Sequence, residues 1–501
     1  MEKTVTGAEF VISRKAERKG GRRRGVLTAI EDLFTGGTCS VRFKIFSVIV
    51  AVVFQLAMPA APLMAQESPT AGGADKPVQS PPQDQQTSLP KYLDLNDGLT
   101  VDALVAHALA HNGELLAARK EIEAARALVK QARLRANPAM EVNGSRQIPG
   151  KDNTLMVTGM LPLELGGRRA ARITVAEREL ELRERAVADR ERMLAAEVRS
   201  KFGQSLAEIL KLGFTEELLT NSRRGYRLIE ARVEEGRTAP LEQNMVLVEV
   251  NRLRSVREMN EGKVEIALLE LRNLVGMPPT EPLRLRGDLT NLIAPLKPIA
   301  EATEQALHAR PDLELARAVE RLAEARIVEA RTAGRPDASI NAGYQRMNSS
   351  FPVFGINDAN QLQPVQGVFN FLTFGVTISV PVWNKNQGAI AAAVADVDAA
   401  RRRREFTELT IRREVAVAYA QYERAVRAME IYRVGVKEQA STNLDVIRQT
   451  YELGSKTLLD YITEQRRYIE LENEYIDALL ATYLARVDIS RASASPELIT
   501  K

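Results

Sequence analysis

Two stretches of the chain are copies of one pattern. "ARVEEGRTAPLEQNMVLVEVNRLRSV" (231–256) is answered by "TYELGSKTLLDYITEQRRYIELENEY" (450–475), with Gly236 matched by Gly454, Leu241 by Leu459 and Glu242 by Asp460, all at an offset of 218. "LPLELGGRRAARITVAE" from Leu161 is answered by "VPVWNKNQGAIAAAVAD" from Val380, Pro162 pairing with Pro381 at 219. Nearer the N-terminus, Pro138 pairs with Pro336 at 198. A tandem duplication of this kind obliges both halves to form one and the same supersecondary unit. The change of offset from 198 to 219 places 21 extra residues between Pro336 and Pro381.

Each copy opens with helical periodicity, from Leu99 and from about Ala302. The helices restart after Asn112 and Arg310, with Pro311 suited to a first helical position, and they stop at Pro138 and Pro336. Period two then takes over. In "DASINAGYQ", Ala338, Ile340, Ala342 and Tyr344 alternate with Ser339, Asn341, Gly343 and Gln345; in "TFGVTISV", Phe374, Val376, Ile378 and Val380 alternate with Thr373, Gly375, Thr377 and Ser379. Strict alternation marks strands with one apolar and one polar face. The first copy repeats this more weakly with Met140 and Val142, then Leu155, Val157 and Leu161. Two hairpins are expected, about 139–163 and 337–382, the 21 extra residues forming a longer loop in the second.

Proline-free helical runs follow, from about Ala170 to Glu235 and from about Ala389 to Leu453, each spanning roughly 100 Å at 1.5 Å per residue. Gly203, Gly213, Gly225 and Gly435 mark places where they can break. The return helices, Pro240 to Val275 and Thr457 to Arg491, are half as long, so the short opening helices must complete each column. The expected organisation is a leader at 1–65, a flexible arm at 66–96 and a first repeat at 97–276 with its tip near 236. A connecting segment at 277–298, a second repeat at 299–492 with its tip near 454, and a tail at 493–501 complete it.

The strands, expected at nine to eleven residues, have the dimensions of outer-membrane strands. Four of them cannot close, and an open edge in hydrocarbon costs several kcal/mol per unpaired backbone group. Subunits must therefore join. Two would give an eight-stranded barrel filled by its own side chains, whereas three give about twelve strands and an interior that can hold water. An inner face rich in Ser, Asn, Thr and Gly favours three. The alternative is a soluble hairpin at the end of a periplasmic coiled-coil structural or adhesion rod.

Composition bears on the partners. Lys+Arg exceeds Asp+Glu by four, but residues 1–65 hold ten Lys/Arg against five Asp/Glu, leaving 59 against 60 in the rest. No basic footprint for nucleic acid remains. The leader has a basic segment, the apolar run "IFSVIVAVVFQLA" (45–57) and small Ala65 before Gln66, the pattern of a signal peptide cleaved after Ala65. Translation from Val41 would leave a signal peptide of ordinary length. "GRRRG" stands about twenty residues too early for a twin-arginine signal. The sole cysteine, Cys39, leaves with the leader, so neither disulfide nor lipid anchor is expected in the mature chain.

The paired hairpins, the duplicated long helices and the turn formed by Tyr451, Gly454, Thr457 and Asp460 resemble the TolC family of outer-membrane efflux proteins. The resemblance extends over residues 97–492, and "LPLELGGRRAAR" and "VPVWNKNQGAI" look most like its CzcC-type branch, which serves heavy-metal and cation efflux pumps. It implies a mainly α protomer with a small β part, a homotrimer with a twelve-stranded barrel in outer-membrane lipid, and a long helical periplasmic tunnel. It further implies a periplasmic adaptor (membrane fusion protein) and an inner-membrane pump of the RND class as partners. The same duct serving drug efflux or protein secretion is the nearer alternative. By resemblance, Gly236, Glu242, Tyr451, Gly454, Lys456 and Asp460 belong to the periplasmic tip and gate, with acidic residues ringing the mouth and Tyr451 and Lys456 as latches. Glu242 where the family carries Asp, and Thr463 one turn beyond Asp460, put a second acidic layer in doubt. Ala338, Ile340, Tyr344, Phe374, Val376 and Ile378 face lipid, and Trp383 is placed as an interfacial anchor.

Other chemistry is thin. Glu242 and Asp460 also suit the first turn of a helix through the macrodipole alone. His107 and His111 in "HALAH" have helical metal-ligand spacing, but only His308 accompanies them and no metal site is expected. "GGRRAAR" lacks the spacing and the Lys-Ser/Thr pair of a phosphate loop. With three histidines and no nucleophile–base arrangement, neither an enzyme nor a cofactor is expected.

Overall fold

The computed structural model describes residues 88–290 and 296–499. In chain order the first copy runs α1 (Leu89–Tyr92), α2 (Val101–His111), α3 (Gly113–Ala132), β1 (Ala139–Arg146), β2 (Asn153–Pro162), α4 (Arg168–Glu234) and α5 (Pro240–Val275). The second runs α6 (Ile299–Ala309), α7 (Pro311–Ala333), β3 (Asp337–Ile356), β4 (Leu362–Ser379), α8 (Gln387–Glu430), α9 (Glu438–Glu452) and α10 (Leu458–Ser493). The protein is mainly helical with one small antiparallel sheet, the fold class that the family resemblance implies.

The leader and the possibility of a Val41 start lie outside the described residues, as does the arm up to residue 87. From Ser88 onward the segment expected to be a flexible arm is docked instead. The Ser88 amide donates to Glu216 Oε2 at 3.0 Å, Tyr92 is buried, and Leu93 forms a parallel bridge with Leu285. An aromatic ring and two leucines supply the apolar burial that the Pro- and Gln-rich residues before them lack.

The short helices begin where their caps allow. Asn112 Oδ1 accepts from the Leu115 amide at 3.0 Å, opening α3. Before α7, the buried Arg310 guanidinium bonds Asp312, Glu414 and the Ala492 carbonyl, tying the helix start to α8 and α10. Near the sheet α3, α4, α7 and α8 lie side by side; towards the tips the neighbours are α5, α4, α10 and α9. Buried alanines such as Ala118, Ala125, Ala318 and Ala325 let these helices approach. Ion pairs lace their rims, among them Arg119–Glu191 at 2.8 Å, Arg321–Glu181 at 2.7 Å and Arg404–Glu320 at 2.8 Å. The largest core, including Leu104, Phe202, Leu206, Ile209 and Leu268, sits where α2, α4, α5 and α10 meet.

The two long columns differ. Helix α4 runs 67 residues without a break, continuing through Gly203, Gly213 and Gly225, the first two of which make room for neighbours. A Cβ on Gly203 would collide with the Tyr483 ring of α10, and one on Gly213 would press into Leu89. In the second column Gly435 lies inside a seven-residue π-helical turn, Ile431–Lys437, separating α8 from α9. Such turns mark a local irregularity in the i→i−4 ladder. Here Lys437 Nζ lies 2.6 Å from Glu472 Oε1 and 4.7 Å from the centre of the Tyr475 ring, so the turn is pinned to α10.

The sheet has the order β1-β2-β3-β4, antiparallel throughout. The 21 extra residues are not a loop. They lengthen β3 and β4 to 20 and 18 residues against 8 and 10 for β1 and β2. Ladder pairing continues from Asn348↔Val368 to Ile356↔Leu362, with a register shift between Ser350 and Phe354. Pairing satisfies the backbone groups that an extended loop would leave to water. Only a short turn remains, in which Asn357 Oδ1 accepts from the amides of Ala359 and Gln361.

Candidate functional site: the helical tips and the sheet

The α4–α5 and α9–α10 turns are built alike. Gly236 (φ 69°) and Gly454 (φ 74°) take the left-handed conformation that an L side chain resists. In both, the residue after the glycine donates back to a helical carbonyl: Arg237 to Arg232 at 2.8 Å, Ser455 to Thr450 at 2.9 Å. This six-to-one closure with left-handed glycine ends each long helix and reverses the chain in a few residues.

The helices that leave these turns start differently. Thr457 Oγ1 accepts from the Asp460 amide at 3.2 Å, while Asp460 Oδ2 accepts from the Thr457 amide at 3.0 Å and its hydroxyl at 2.8 Å, a reciprocal capping box. These Thr457 donors, followed by the Lys456 charge, hold the Asp460 carboxyl below the usual range. In the first copy Ala239 replaces Thr457 and no side chain caps α5. Glu242, third in its helix like Asp460, therefore has no hydroxyl beside it. It reaches across instead and accepts a hydrogen bond from the Tyr451 hydroxyl at 3.1 Å.

Tyr451 stacks on Tyr461, ring centres 6.1 Å apart and nearly parallel, and burial followed by the Glu242 charge pushes its hydroxyl up to about 12. Beneath them Leu219, Tyr226, Val246, Val250, Leu458 and Ile462 form the apolar cluster joining the two hairpins. Of the six tip residues, Glu242 and Tyr451 are in contact, the two glycines shape separate turns, and Lys456 acts on Asp460 through its charge. Sequence reasoning missed Tyr461 and the buried Glu249, which takes both Arg252 and Arg466 at 2.7 Å. Nothing local announces either; both depend on which helix lies alongside.

The sheet separates its faces cleanly at its lower end. Ala338 pairs with Ile378, Ile340 with Val376 and Tyr344 with Leu372, and Phe374 opposes Ala342, so the six residues expected to meet lipid share one face. Phe374 is 80% exposed and Val376 62%, apolar surface with no partner in the protomer. From Ala338 to Tyr344 the band measures about 20 Å along the strand, comparable with an outer-membrane apolar band of roughly 25 Å. Asn341 Nδ2 donates to Thr377 Oγ1 at 2.7 Å on the opposite face. Trp383, just past β4, is almost fully exposed. Among the described residues no helix is long and apolar enough to cross a membrane.

His107 and His111 are stacked at 4.2 Å, and each directs Nδ1 at a carbonyl, Val275 and His107 respectively. Parallel rings do not converge on one ion, and among the described residues no group of three or more His, Cys, Asp or Glu could hold a metal.

A long helical column ending in an incomplete sheet with an apolar outer face defines a membrane-anchored channel protomer. The family profile described as outer membrane efflux protein matches residues 104–277 and 302–495, and the chain belongs to that family of outer-membrane channel proteins. Among its relatives, the cobalt-zinc-cadmium resistance protein CzcC of Cupriavidus metallidurans is 25% identical over 399 residues, 78% of this chain and 89% of that protein. The nickel-cobalt-cadmium resistance protein NccC of Alcaligenes xylosoxydans xylosoxydans is 25% identical over 331 residues, 61% of this chain and 66% of that protein. A crystal structure of CusC, described as a transmembrane channel, shares the fold with a TM-score of 0.65 at 19% identity, covering 83% of this chain and 99% of that one.

Proposed function

We propose that this outer-membrane efflux protein is the passive exit duct of a tripartite heavy-metal efflux system. In this reading three copies close a twelve-stranded barrel, an adaptor binds the tips, and an inner-membrane RND pump supplies the energy. The observation that carries the oligomer is the sheet: β1 and β4 are both free edges beside an exposed apolar face, and only further copies can pair them. Helices α3 and α5 on one side and α8 and α9 on the other leave Leu128, Met259, Phe406 and Val446 exposed, as a head-to-tail ring requires. Kinship with CzcC and NccC supports divalent metal cations as the cargo.

In the same reading the tips form the gate. Three Asp460 carboxylates face the mouth, Glu242 stands behind them tied to Tyr451, and Lys456 is free to reach a neighbouring protomer. Deleting the gene should sensitise the cell to cobalt, zinc or cadmium and should leave drug tolerance unchanged. Sensitivity to drugs alone, or loss of a secreted protein, would assign the duct to another pump. A soluble protein without conductance in planar bilayers would return it to the structural-rod reading.

A further inference from the structure

The two faces of the sheet exchange character above the apolar band. On the face that carries Ile340 and Val376, the residues beyond Tyr344 and Leu372 are Arg346, Asn348, Asn370 and Gln366, interrupted by Val368. On the face that carries Asn341 and Thr377, β4 presents Phe371 and Phe369 opposite Gln345 and Met347 of β3, with Ser349 and Gly367 one rung beyond. The rings are ordered against one another: Phe351 meets Phe369 edge-on at 5.5 Å, and Phe369 and Phe371 stack at 6.5 Å. Gly367 makes space for this, since a Cβ there would come within 3.0 Å of the Phe369 ring. Tyr344 marks the border, its hydroxyl donating to Asn370 Oδ1 at 2.8 Å.

Apolar rings on the polar face have no lipid to meet, and polar residues at the same level on the other face suit water or headgroups. The level is fixed by the register, Arg146↔Asn153↔Asn348↔Val368 being the last rung shared by all four strands. We propose that Phe351, Phe369 and Phe371 form an apolar collar inside the external mouth of the lumen, repeated by each copy in the ring, which obstructs bulky hydrophilic solutes entering from outside. Apolar constrictions in water-filled pores exclude solutes by size and by dewetting. The inference rests on the closed-barrel reading above.

Thiol accessibility on whole cells tests it in a Cys39→Ser background. The Phe371→Cys thiol should react with a small water-soluble maleimide and resist a bulky polyethylene-glycol maleimide, and adding Phe351→Ser with Phe369→Ser should abolish that resistance. Phe369→Leu, which keeps the collar apolar, should preserve it. The Leu372→Cys thiol should react only with a lipid-soluble maleimide. Equal labelling of Phe371→Cys by both water-soluble reagents without the serine substitutions removes the collar and leaves the duct intact. Water-soluble labelling of Leu372→Cys with protection of Phe371→Cys reverses the faces and removes the closed barrel as well, as does the absence of external labelling at both positions when lysates label both.

Discussion

The Tyr451 hydroxyl donates to Glu242 Oε2 at 3.1 Å, joining residues 209 positions apart and binding the tip of the second repeat to that of the first within one protomer. Duplication placed acidic residues at the third position of both return helices. With Ala239 where the second repeat has Thr457, Glu242 has no capping hydroxyl to bond and is available for this second task.

Tyr451→Phe deletes that bond and keeps the ring stack on Tyr461. Combined with Lys456→Ser it should raise the resting conductance of purified channels in planar bilayers while oligomers survive on gels. The single Phe variant should also change the pH response. Burial and then Glu242 raise the Tyr451 hydroxyl to about 12, against about 10 for an unfolded tyrosine. The folded chain thus holds this proton more tightly, and the associated stability is complete below about pH 10 and is lost as pH rises towards 12. Comparing alkaline unfolding of the wild type and the variant isolates it; identical curves would remove the assigned role.

Asp460 has two functions that substitution can separate. Asp460→Ala removes both the cap and the charge, and should weaken block by divalent or trivalent cations applied from the periplasmic side. Asp460→Asn keeps an oxygen for the Thr457 donors and should lose the block while retaining the first turn of α10. Glu242→Ala should have the smaller effect, because its carboxylate is turned towards Tyr451. Block that is unchanged in Asp460→Asn would exclude charge as the cause.

Strand-face chemistry should be asymmetric. Arginine at Ile340 or Val376 places a charge in lipid at roughly 2–4 kcal/mol, whereas arginine at Asn341 or Thr377 should assemble and alter conductance. Heat-modifiable mobility of the oligomer reads the first effect and bilayer recordings read the second. Equal loss of assembly at both faces would overturn the assignment.

The π turn offers a stability test. Lys437 loses hydration on burial, but the Glu472 carboxylate outweighs that and raises its pKa overall. Lys437→Met strands a largely buried carboxylate and should destabilise by about 1–3 kcal/mol, less than a fully buried pair because Lys437 is partly exposed. Adding Glu472→Leu should recover most of the loss in thermal melts followed by circular dichroism.

Gly203→Ala is the packing control. A methyl group there must displace the Tyr483 ring, whose hydroxyl donates to the Arg199 carbonyl at 3.1 Å. Overpacking of this kind costs about 1–3 kcal/mol despite alanine's better helix propensity. Melting of Gly203→Ala with Tyr483→Leu should lie closer to wild type.

Much of the fold was legible because local pattern and tertiary environment agree. Alternation in "TFGVTISV" and the left-handed glycines at 236 and 454 mean the same thing in any context. The reading failed where context decides. "MNSSFPVF" lacks clean alternation and reads as loop, yet β4 alongside it supplies a ladder. Gly203 and Gly213 read as weak points, yet each is the hole for a neighbour's side chain. Glu242 and Tyr451 were identifiable singly; their contact was not, since it depends on two helical hairpins separated along the chain by α6, α7, the β3–β4 hairpin and α8.

The return helices α5 and α10 are each 36 residues long. Duplicated hairpins of matched length bring their turns to nearly the same level, so for anything approaching from the periplasm the repeating unit is the hairpin rather than the chain. A threefold ring built from this protomer would present six near-equivalent knuckles of alternating kind, a Glu242 type and an Asp460 type. Each kind would recur three times around such a ring, so neighbouring knuckles would differ in the residue at the third position of the return helix, Glu242 or Asp460.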